Sequence, residues 1–283
     1  MQIISNYNFS DINVYFILND NNRVVLSILP DSKKYDLLSE KNMEVYNRSS
    51  LVHLKLECHN SGMLSNSFKF SETLSLLKYK AQNIYENDES ITVVTDEESE
   101  EGFGIHHYLK WYKGQQGFEV STEFYNNSGS TVELEYLTSV SLDALSPCLS
   151  DEGSKKLCFH RFKAGWSMEG LHQCNTLTEL GLEKAWATSA ESIKLGATGT
   201  RPVREYHPYG AVEDTENGVI WGVYLAYNAS WQMELTRLLD GVSLSIGLAD
   251  SVTGLWNKKI PSGGSFESPK AMISVADGGI AEL

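Results

Sequence analysis

An alternation of apolar and polar side chains, with a period of two residues, recurs along most of the sequence. Segments 51–57 and 105–112 show it most clearly. Successive side chains of a β-strand point to opposite faces of its sheet, so this period predicts half-buried strands. Turns rich in glycine and asparagine separate about fifteen such segments, and 31–46 is the one stretch with a helical pattern. The sequence therefore predicts an all-β protein, a large antiparallel β-sandwich (a supersandwich) with little helix.

The predicted strands follow one another with short connections. The first two form a hairpin around the turn at 19–22, and turns at 114–117 and 126–129 separate three strands in the middle of the chain. In chain order we predict strands at 12–18, 23–29, 51–57, 74–79, 91–95, 105–112, 118–125, 131–142, 157–164 and 184–188, and a closing group from 219 onward. No change in composition marks a linker between them.

Acidic residues outnumber basic ones, 37 to 23, and give the chain a net charge of −14. A phosphate backbone or an anionic membrane requires a basic surface, so this balance argues against nucleic acid and membrane partners. The acidic run at 96–101, DEESEE, lacks the interleaved glycine of a calcium-binding loop, and we interpret it as a solvated loop. The sequence predicts neither a metal site nor a cofactor.

The four cysteines, Cys58, Cys148, Cys158 and Cys174, form no C-x-x-C pair and have no zinc-ligand spacing. We therefore expect free thiols in a reducing compartment. The N-terminal residues lack the basic and apolar regions of a signal peptide, and no segment has the apolar length of a transmembrane helix. These features favour a cytoplasmic protein.

Four motifs in the last two thirds of the chain occur in an order that resembles a known family. Residues 118–129 read FEVSTEFYNNSG and residues 161–170 read RFKAGWSMEG. Residues 218–235 read GVIWGVYLAYNASWQMEL, and 260–280 read IPSGGSFESPKAMISVADGGI. Together they resemble the N-terminal domain of glycoside hydrolase family 36, the α-galactosidase family. The first third of the chain matches that domain in strand order alone.

The resemblance implies a role as well as a fold. Members of this family hydrolyse α-galactosides with retention, using two carboxyl groups on a catalytic barrel that follows the N-terminal domain. On this basis residues 1–275 are a β-supersandwich domain, and 276–283 begin a linker to a barrel that is absent from this sequence. The chain is then a non-catalytic domain that supports and partly caps the barrel of an α-galactosidase-like retaining glycoside hydrolase. Alone it is expected to be inactive, and its own catalytic barrel is its expected partner.

Two other functions stay open at this stage. A free-standing carbohydrate-binding module or scaffold protein would show exposed aromatic rings beside polar groups on a concave surface. An enzyme in its own right would need two close carboxylates in a cleft. The tripeptide Lys34-Tyr35-Asp36 matches the Lys-x-Asp element of the family nucleophile, but it follows just two predicted strands. We therefore interpret it as a surface turn or short helix and assign no catalytic residue.

The segment 199–210, GTRPVREYHPYG, is the one loop that suggests a binding site. It lies where the family carries a loop ending in histidine, proline and an aromatic residue, before the closing hairpin. Arg201, Arg204, His207 and Tyr209 offer planar hydrogen-bond donors and a ring for stacking, which suit a substrate-binding role toward sugar hydroxyls. Alternatively, the two prolines of this segment stiffen a loop that packs on the barrel.

Trp166 is the fifth candidate for substrate binding. An exposed tryptophan can stack on a sugar, whereas a buried one belongs to the core, which is the commoner case between strand residues. The same two interpretations apply to Trp111, Trp186, Trp221, Trp231 and Trp256. His106 and His107 are adjacent on a predicted strand, so we expect one to be packed and the other exposed. His160 and His172 have no partners at metal-ligand spacing.

One family feature is missing from the early part of the sequence. Several members carry an N-terminal loop of acidic, aromatic and basic residues that reaches the active site of a neighbouring subunit in a tetramer. No such motif occurs between residues 30 and 79. A galactoside ligand and a homo-oligomer therefore stay open expectations, and the sugar preference of the enzyme is not defined by these residues.

Overall fold

The computed structural model of the protein describes residues 1–62, 67–149, 153–184, 190–201 and 203–283. Within these residues nineteen strands, β1 to β19 in chain order, pair into three antiparallel sheets. The prediction of an all-β protein with a large antiparallel sandwich and little helix is confirmed. The predicted strand at 184–188 lies outside the described residues beyond Lys184.

The largest sheet has ten strands and forms one whole layer of the molecule. Its strand order is β11 (His172–Thr176), β10 (Leu157–Lys163), β13 (Tyr206–Asp214), β14 (Val219–Leu225), β19 (Ala271–Asp277), β8 (Phe118–Asn126), β7 (Phe103–Tyr112), β6 (Ser90–Glu98) and β5 (Lys78–Glu86). The tenth strand, β18 (Gly264–Glu267), also pairs with β8. Chain-distant strands are therefore neighbours at the centre, where β19 joins β14 to β8.

Two smaller sheets complete the fold. The six-stranded sheet has the order β12 (Ala190–Ala197), β15 (Trp231–Leu238), β16 (Gly241–Leu248), β9 (Val132–Leu142) and β17 (Lys258–Ile260), with β4 (Leu54–Leu56) also paired to β9. The three-stranded sheet consists of β1 (Gln2–Phe9), β2 (Ile12–Leu18) and β3 (Val24–Pro30). The predicted first hairpin is confirmed as β2 and β3.

A continuous apolar core lies between the ten-stranded sheet and the two smaller sheets. On β7 the side chains of Phe103, Ile105 and Leu109 are buried in this core, and His107 is buried on the same face. His106 and Tyr108 point to the opposite face. The indole Nε1 of Trp221 donates a hydrogen bond to the backbone oxygen of Ile28 at 2.7 Å, which ties β14 to the three-stranded sheet. On β7 the period of two thus corresponds to one buried and one open sheet face. In the segment 51–57 it does not, because residues 51–56 are all buried and only Leu54–Leu56 form a strand.

The helices are short and differ from the predicted pattern. Helix α1 (Glu40–Tyr46) takes up the end of the segment 31–46, and a 3-10 helix covers Ile280–Glu282. The strand predicted at 74–79 is wrong at its beginning, because helix α2 covers Glu72–Leu76 and β5 starts at Lys78. The side chain of Ser71 accepts a hydrogen bond from the backbone nitrogen of Leu74, and this N-cap starts the helix.

The interpretation of 96–101 as a solvated loop is wrong for its first three residues. Strand β6 continues to Glu98, and the side chain of Glu97 is fully buried. One carboxylate oxygen of Glu97 accepts a hydrogen bond from the backbone nitrogen of Val24 at 2.7 Å. Burial raises the pKa of Glu97 to about 7, although this hydrogen bond and nearby Arg23 oppose the shift.

A buried carboxylate connects three separate segments of the chain. The ammonium group of Lys69 donates to Asp143 Oδ2, His53 Nε2 lies 3.0 Å from Asp143 Oδ1, and the backbone nitrogen of Ser50 donates to Oδ2 at 3.0 Å. The side chains of Lys69, His53 and Asp143 are at most 4% exposed. Burial alone would raise the pKa of Asp143, but the charges of Lys69 and His53 outweigh it and hold the pKa well below its usual range.

We predict that Asp143→Ala lowers the free energy of unfolding by about 3–5 kcal/mol, because it leaves the Lys69 ammonium buried without its counter-charge. Urea unfolding at neutral pH measures this change. Lys80 and Glu98 form an exposed ion pair that serves as the control. Lys80→Ala is expected to change the free energy by less than about 1 kcal/mol. An equally small effect of Asp143→Ala would contradict the central role of the buried pair.

We predict that Glu97 makes stability decrease as the pH rises. Its pKa is about 7 in the fold against an ordinary value of 4.5, so the native state holds a proton that the unfolded chain releases in this interval. The Glu97→Gln variant lacks this contribution. Its free energy of unfolding should therefore increase relative to that of the unchanged protein as the pH rises from 4.5 to 7. Burial lowers the pKa of His107 to about 3, which acts in the opposite direction. For this reason the test compares urea unfolding of the two proteins, and parallel pH profiles would contradict it.

Candidate functional site

Trp166 lies in the loop 164–171, which connects β10 to β11. Two hydrogen bonds close this loop: the backbone nitrogen of Lys163 donates to the oxygen of Leu171 at 2.9 Å, and that of Gly170 donates to the oxygen of Lys163 at 2.8 Å. The Trp166 side chain is 91% exposed, so the core interpretation is wrong for this residue. At the end of this hairpin no second sheet covers the loop, so the indole ring is exposed to solvent.

The other tryptophans divide between the core and its margins. Trp221 and Trp231 are buried, as the core interpretation expects. Trp111 and Trp256 are half-buried and pack against the core, and Trp186 lies outside the described residues. The prediction for the histidine pair on β7 is confirmed, since His107 is buried and His106 is half-exposed on the opposite face.

Further exposed apolar side chains lie next to Trp166. Met168 and Leu171 belong to the same loop, and their side chains are 47% and 51% exposed. The backbone nitrogen of Ala164 donates to the oxygen of Glu205 at 2.9 Å, which brings the loop beside Val203. We call Trp166, Met168, Leu171 and Val203 the hairpin patch. Contiguous exposed apolar residues of this kind mark interaction surfaces.

The segment 199–210 is a loop in its first half only. Strand β13 begins at Tyr206 and pairs with β10 and β14, so the loop expectation is wrong for His207 and Tyr209. Alternation along β13 places these two side chains on one face, where the ring of Tyr209 lies 5.3 Å from that of Phe162. Pro208 is buried in the strand, and Pro202 lies outside the described residues.

Arg204 lines a groove of about 420 Å³ between its own loop, β12 and the turn after β16. Thr253 Oγ1 donates to Gln232 Oε1 at 2.7 Å in this groove. Lys194 Nζ lies 3.1 Å from Asp250 Oδ2 at its margin. Burial alone would raise the pKa of Asp250, but hydrogen bonds from Thr253 and the charge of Lys194 outweigh it and lower the pKa. The groove therefore presents fixed hydrogen-bonding groups and a cation.

The five predicted substrate-binding residues do not converge on one place. Arg204 lines the groove, Arg201 is exposed on the same loop, and Trp166 belongs to the hairpin patch. His207 and Tyr209 lie on the face of β13 that points away from Gly210, and Gly210 adjoins Met233 and Phe159 in the core. Strand pairing, which the sequence motif does not reveal, separates these side chains.

The groove does not provide the chemistry of a retaining glycosidase. That reaction needs two carboxyl groups about 5–5.5 Å apart. Among the described lining residues Glu205 is the one carboxylate, and it forms an ion pair with Lys163 at 3.0 Å. The lining residues Lys194, Gln232 and Thr253 were not predicted from the sequence. They come from β12, β15 and the turn after β16, and no local motif joins them.

Two histidines that were expected to lack partners are in fact neighbours. The pairing of β10 with β11 sets His160 Nδ1 2.9 Å from His172 Nε2, and His160 Nε2 lies 2.9 Å from Glu213 Oε2. Burial lowers the pKa of His160 despite the carboxylate of Glu213. In the part of the chain that the structure describes, no group of three or more such side chains has the geometry of a metal site.

Two of the four cysteines lack the features of reactive residues. All four carry free thiols. Burial raises the pKa of both Cys148 and Cys158 to about 12, so these thiols stay protonated and are poor nucleophiles. Within the described ranges, the helices are too short or too polar to cross a membrane.

We predict that Trp166→Ala changes the free energy of unfolding by less than about 0.5 kcal/mol, because the ring is exposed. The matched control is Trp231→Ala in the core, which should cost about 3–5 kcal/mol. Urea unfolding measures both, and iodide quenching of fluorescence should lose its most accessible component in Trp166→Ala. A loss of stability close to that of the control would mean that the ring is packed.

Comparison with known proteins shows which solved structures have a similar fold. No family model matches the sequence, and no curated protein is significantly similar to it. The α-galactosidase from Lactobacillus brevis has a TM-score of 0.69 at 13% identity, over 97% of this chain and 39% of that one. The family 36 α-galactosidase AgaA from Geobacillus stearothermophilus has a TM-score of 0.71 at 12% identity, over 99% of this chain and 41% of that one. The galactosidase domain of the α-galactosidase-sucrose kinase AgaSK has a TM-score of 0.70 at 13% identity, over 97% of this chain and 40% of that one.

The chain spans about two fifths of the length of each of these enzymes. Nearly all of its own residues take part in the match, so the likeness extends to the whole sandwich rather than to a single hairpin. The resemblance to the N-terminal β-sandwich domain of glycoside hydrolase family 36 is therefore confirmed at the level of the fold.

Proposed function

We propose that this chain is a non-catalytic domain of an α-galactosidase-like retaining glycoside hydrolase, and that it supports and partly caps a catalytic barrel. One observation carries the proposal: 97–99% of the chain matches 39–41% of solved α-galactosidases. A domain of this size leaves about three fifths of such an enzyme for its catalytic part. The groove beside Arg204, with its one lining carboxylate, agrees with a role outside the chemistry.

The hairpin patch is the surface that we assign to the contact with the barrel. Trp166, Met168 and Leu171 expose apolar area at the end of a hairpin, and Arg204 adds a cation beside them. Interfaces between domains of one enzyme combine a large aromatic ring with a polar rim, and this surface has that composition. On this assignment Arg201 lies in the rim.

Other expectations from the sequence belong to the same proposal. Residues 1–275 form the β-supersandwich and 276–283 begin the linker, although β19 continues to Asp277. Free thiols favour a reducing compartment, and we propose the cytoplasm. A galactoside is the ligand that the fold relatives suggest. Its predicted contacts Trp166, Arg201, Arg204, His207 and Tyr209 lie on separate surfaces, so a single sugar would contact only some of them. A homo-oligomer and the exact sugar are left to experiment.

The exposure of Trp166 also favours the second function, a free-standing carbohydrate-binding module. An open indole ring is the platform on which a sugar stacks, and the neighbouring Arg204 could hydrogen-bond to its hydroxyls. This alternative and the first proposal differ in one respect. A binding module needs no catalytic partner, whereas a supporting domain needs one.

The coding sequence beyond the codon for Leu283 distinguishes these two functions. The first proposal expects an open reading frame that encodes a barrel with two carboxylate-bearing strands. A stop codon at that point, with no barrel gene beside it, would contradict the supporting role and leave the binding module.

We predict that the barrel from that frame, expressed separately, needs this chain for stable activity on p-nitrophenyl α-galactoside. Trp166→Ser with Met168→Ser should weaken the association of the two polypeptides at least about tenfold, because it removes the apolar centre of the contact. Ile84→Ser is the control, since Ile84 is 50% exposed on β5, far from the hairpin patch in the sheet order. Equal association of the variant and the control would contradict the assigned surface, and hydrolysis by this chain alone would contradict its non-catalytic role.

A further inference from the structure

The open face of the ten-stranded sheet carries a row of polar side chains that crosses four strands. The register aligns Asp96 on β6 with His106 on β7, His106 with Glu123 on β8, and Glu123 with Glu267 on β18. His106 Nδ1 lies 2.6 Å from Asp96 Oδ1, so the histidine and the carboxylate hold each other in place. This row is on the face opposite the core residues of β7.

Two tyrosines lie beside the polar row, Tyr108 on β7 and Tyr85 on β5. The hydroxyl of Tyr108 donates a hydrogen bond to Glu123 Oε2 at 3.0 Å. Burial and the neighbouring Glu123 raise the pKa of Tyr108, so this hydroxyl stays a donor at neutral pH. Tyr85 on β5 aligns with Thr92, and its side chain is 62% exposed. These residues line a groove of about 500 Å³ over β5 to β8.

A third tyrosine lies on the open face of the sheet beside the groove. The ring of Tyr125 covers Gly104, where a Cβ atom would lie 2.3 Å from the tyrosine Oη and 2.5 Å from its Cζ. The same ring stacks on His106, with centroids 4.7 Å apart and an angle of 28° between the planes. Glycine at position 104 therefore allows an aromatic ring to occupy the space of a missing side chain. We call this surface the tyrosine face, and it consists of Tyr85, Asp96, His106, Tyr108, Glu123 and Tyr125.

The composition of the tyrosine face selects among ligands. The groove is lined by Asn83, Thr92 and Val94 besides residues of the face, and no lysine or arginine is among its described lining residues. Its carboxylates repel anions and accept hydrogen bonds from hydroxyl groups, while the phenol rings present flat apolar surfaces. Ligands that combine many hydroxyls with apolar ring faces are carbohydrates. The groove spans three inter-strand distances, about 14 Å, which suits a short oligosaccharide better than a single ring.

We propose that the tyrosine face is a binding site for a neutral oligosaccharide, separate from the hairpin patch and from the groove beside Arg204. The site needs no catalytic group, and its existence does not depend on whether the chain supports a barrel. In a supporting domain it would hold the enzyme near polymeric or clustered substrate. In a free-standing protein it would be the binding function itself.

Isothermal titration calorimetry on the intact chain tests the site with raffinose, maltotetraose, cellotetraose and xylotetraose, each to about 10 mM. We predict that at least one saccharide binds. Tyr85→Ala should weaken its binding at least about tenfold, since it removes the exposed stacking ring of the groove. Tyr125→Ala should also weaken binding, since the ring of Tyr125 packs against His106 beside the groove. Tyr108→Phe keeps the shape of the side chain but removes its hydrogen bond to Glu123. We expect the affinity for the saccharide to fall about threefold or more. Tyr85 is exposed, so its variant remains informative even where Tyr125→Ala folds poorly.

Tyr224→Ala is the matched control, because it removes an exposed aromatic ring on β14, outside the tyrosine face. Its affinity should stay within about twofold of that of the unchanged protein. The proposal is overturned by the absence of binding for all four saccharides, by equal affinity in the tyrosine variants, or by a loss of affinity in Tyr224→Ala instead. Binding of spermidine in place of the saccharides would overturn it too, since the acidic groove would then be a cation site. Association with a catalytic barrel should be unchanged in Tyr85→Ala, which separates this site from the supporting role.

Discussion

The carboxylate of Asp143 holds together the part of the molecule that has least regular structure. The described residues between β3 and β5 form two short helices and the three-residue strand β4, so few backbone ladders fix the path of the chain there. Asp143 follows β9 directly and binds Lys69, His53 and the backbone of Ser50 from this region. A buried ion pair gives little net stability over an apolar replacement, but it permits few alternative arrangements. Its main effect is therefore to define one path for the irregular segment across the end of the six-stranded sheet.

The sequence predicted the fold wherever one strand face is apolar and the other polar. Strands β7 and β8 have this pattern and were located closely. The pattern fails where a side chain has an unusual partner. Glu97 looks like part of a charged loop, yet it is buried against the backbone of Val24, 73 residues away in the chain. Leu74 has a strand-like neighbourhood, but the Ser71 cap starts a helix there. Neither partner can be inferred from spacing alone.

Much less of the candidate sites could be predicted. The five residues chosen from motifs are scattered, because β13 carries His207 and Tyr209 to a different surface from Arg204. The exposure of Trp166 depends on its place at the end of a hairpin, which the sequence leaves undecided. The sequence contains a weak signal of the tyrosine face, because His106 and Tyr108 occupy outward positions of a strand whose inward positions, His107 excepted, are apolar. The register that aligns them with Asp96 and Glu123 is a property of the sheet and is not visible in either strand separately.

The position of Tyr125 over Gly104 has a thermodynamic consequence. The ring is already packed against Gly104 and His106 in the free protein, and this packing restricts its two side-chain torsions. A ligand that stacks there would not have to order the tyrosine, and the conformational entropy lost on binding would come almost wholly from the ligand. A stiff glycan loses less of this entropy than a flexible one of the same composition. Chain stiffness, and not sugar identity alone, would then set which glycans the surface retains.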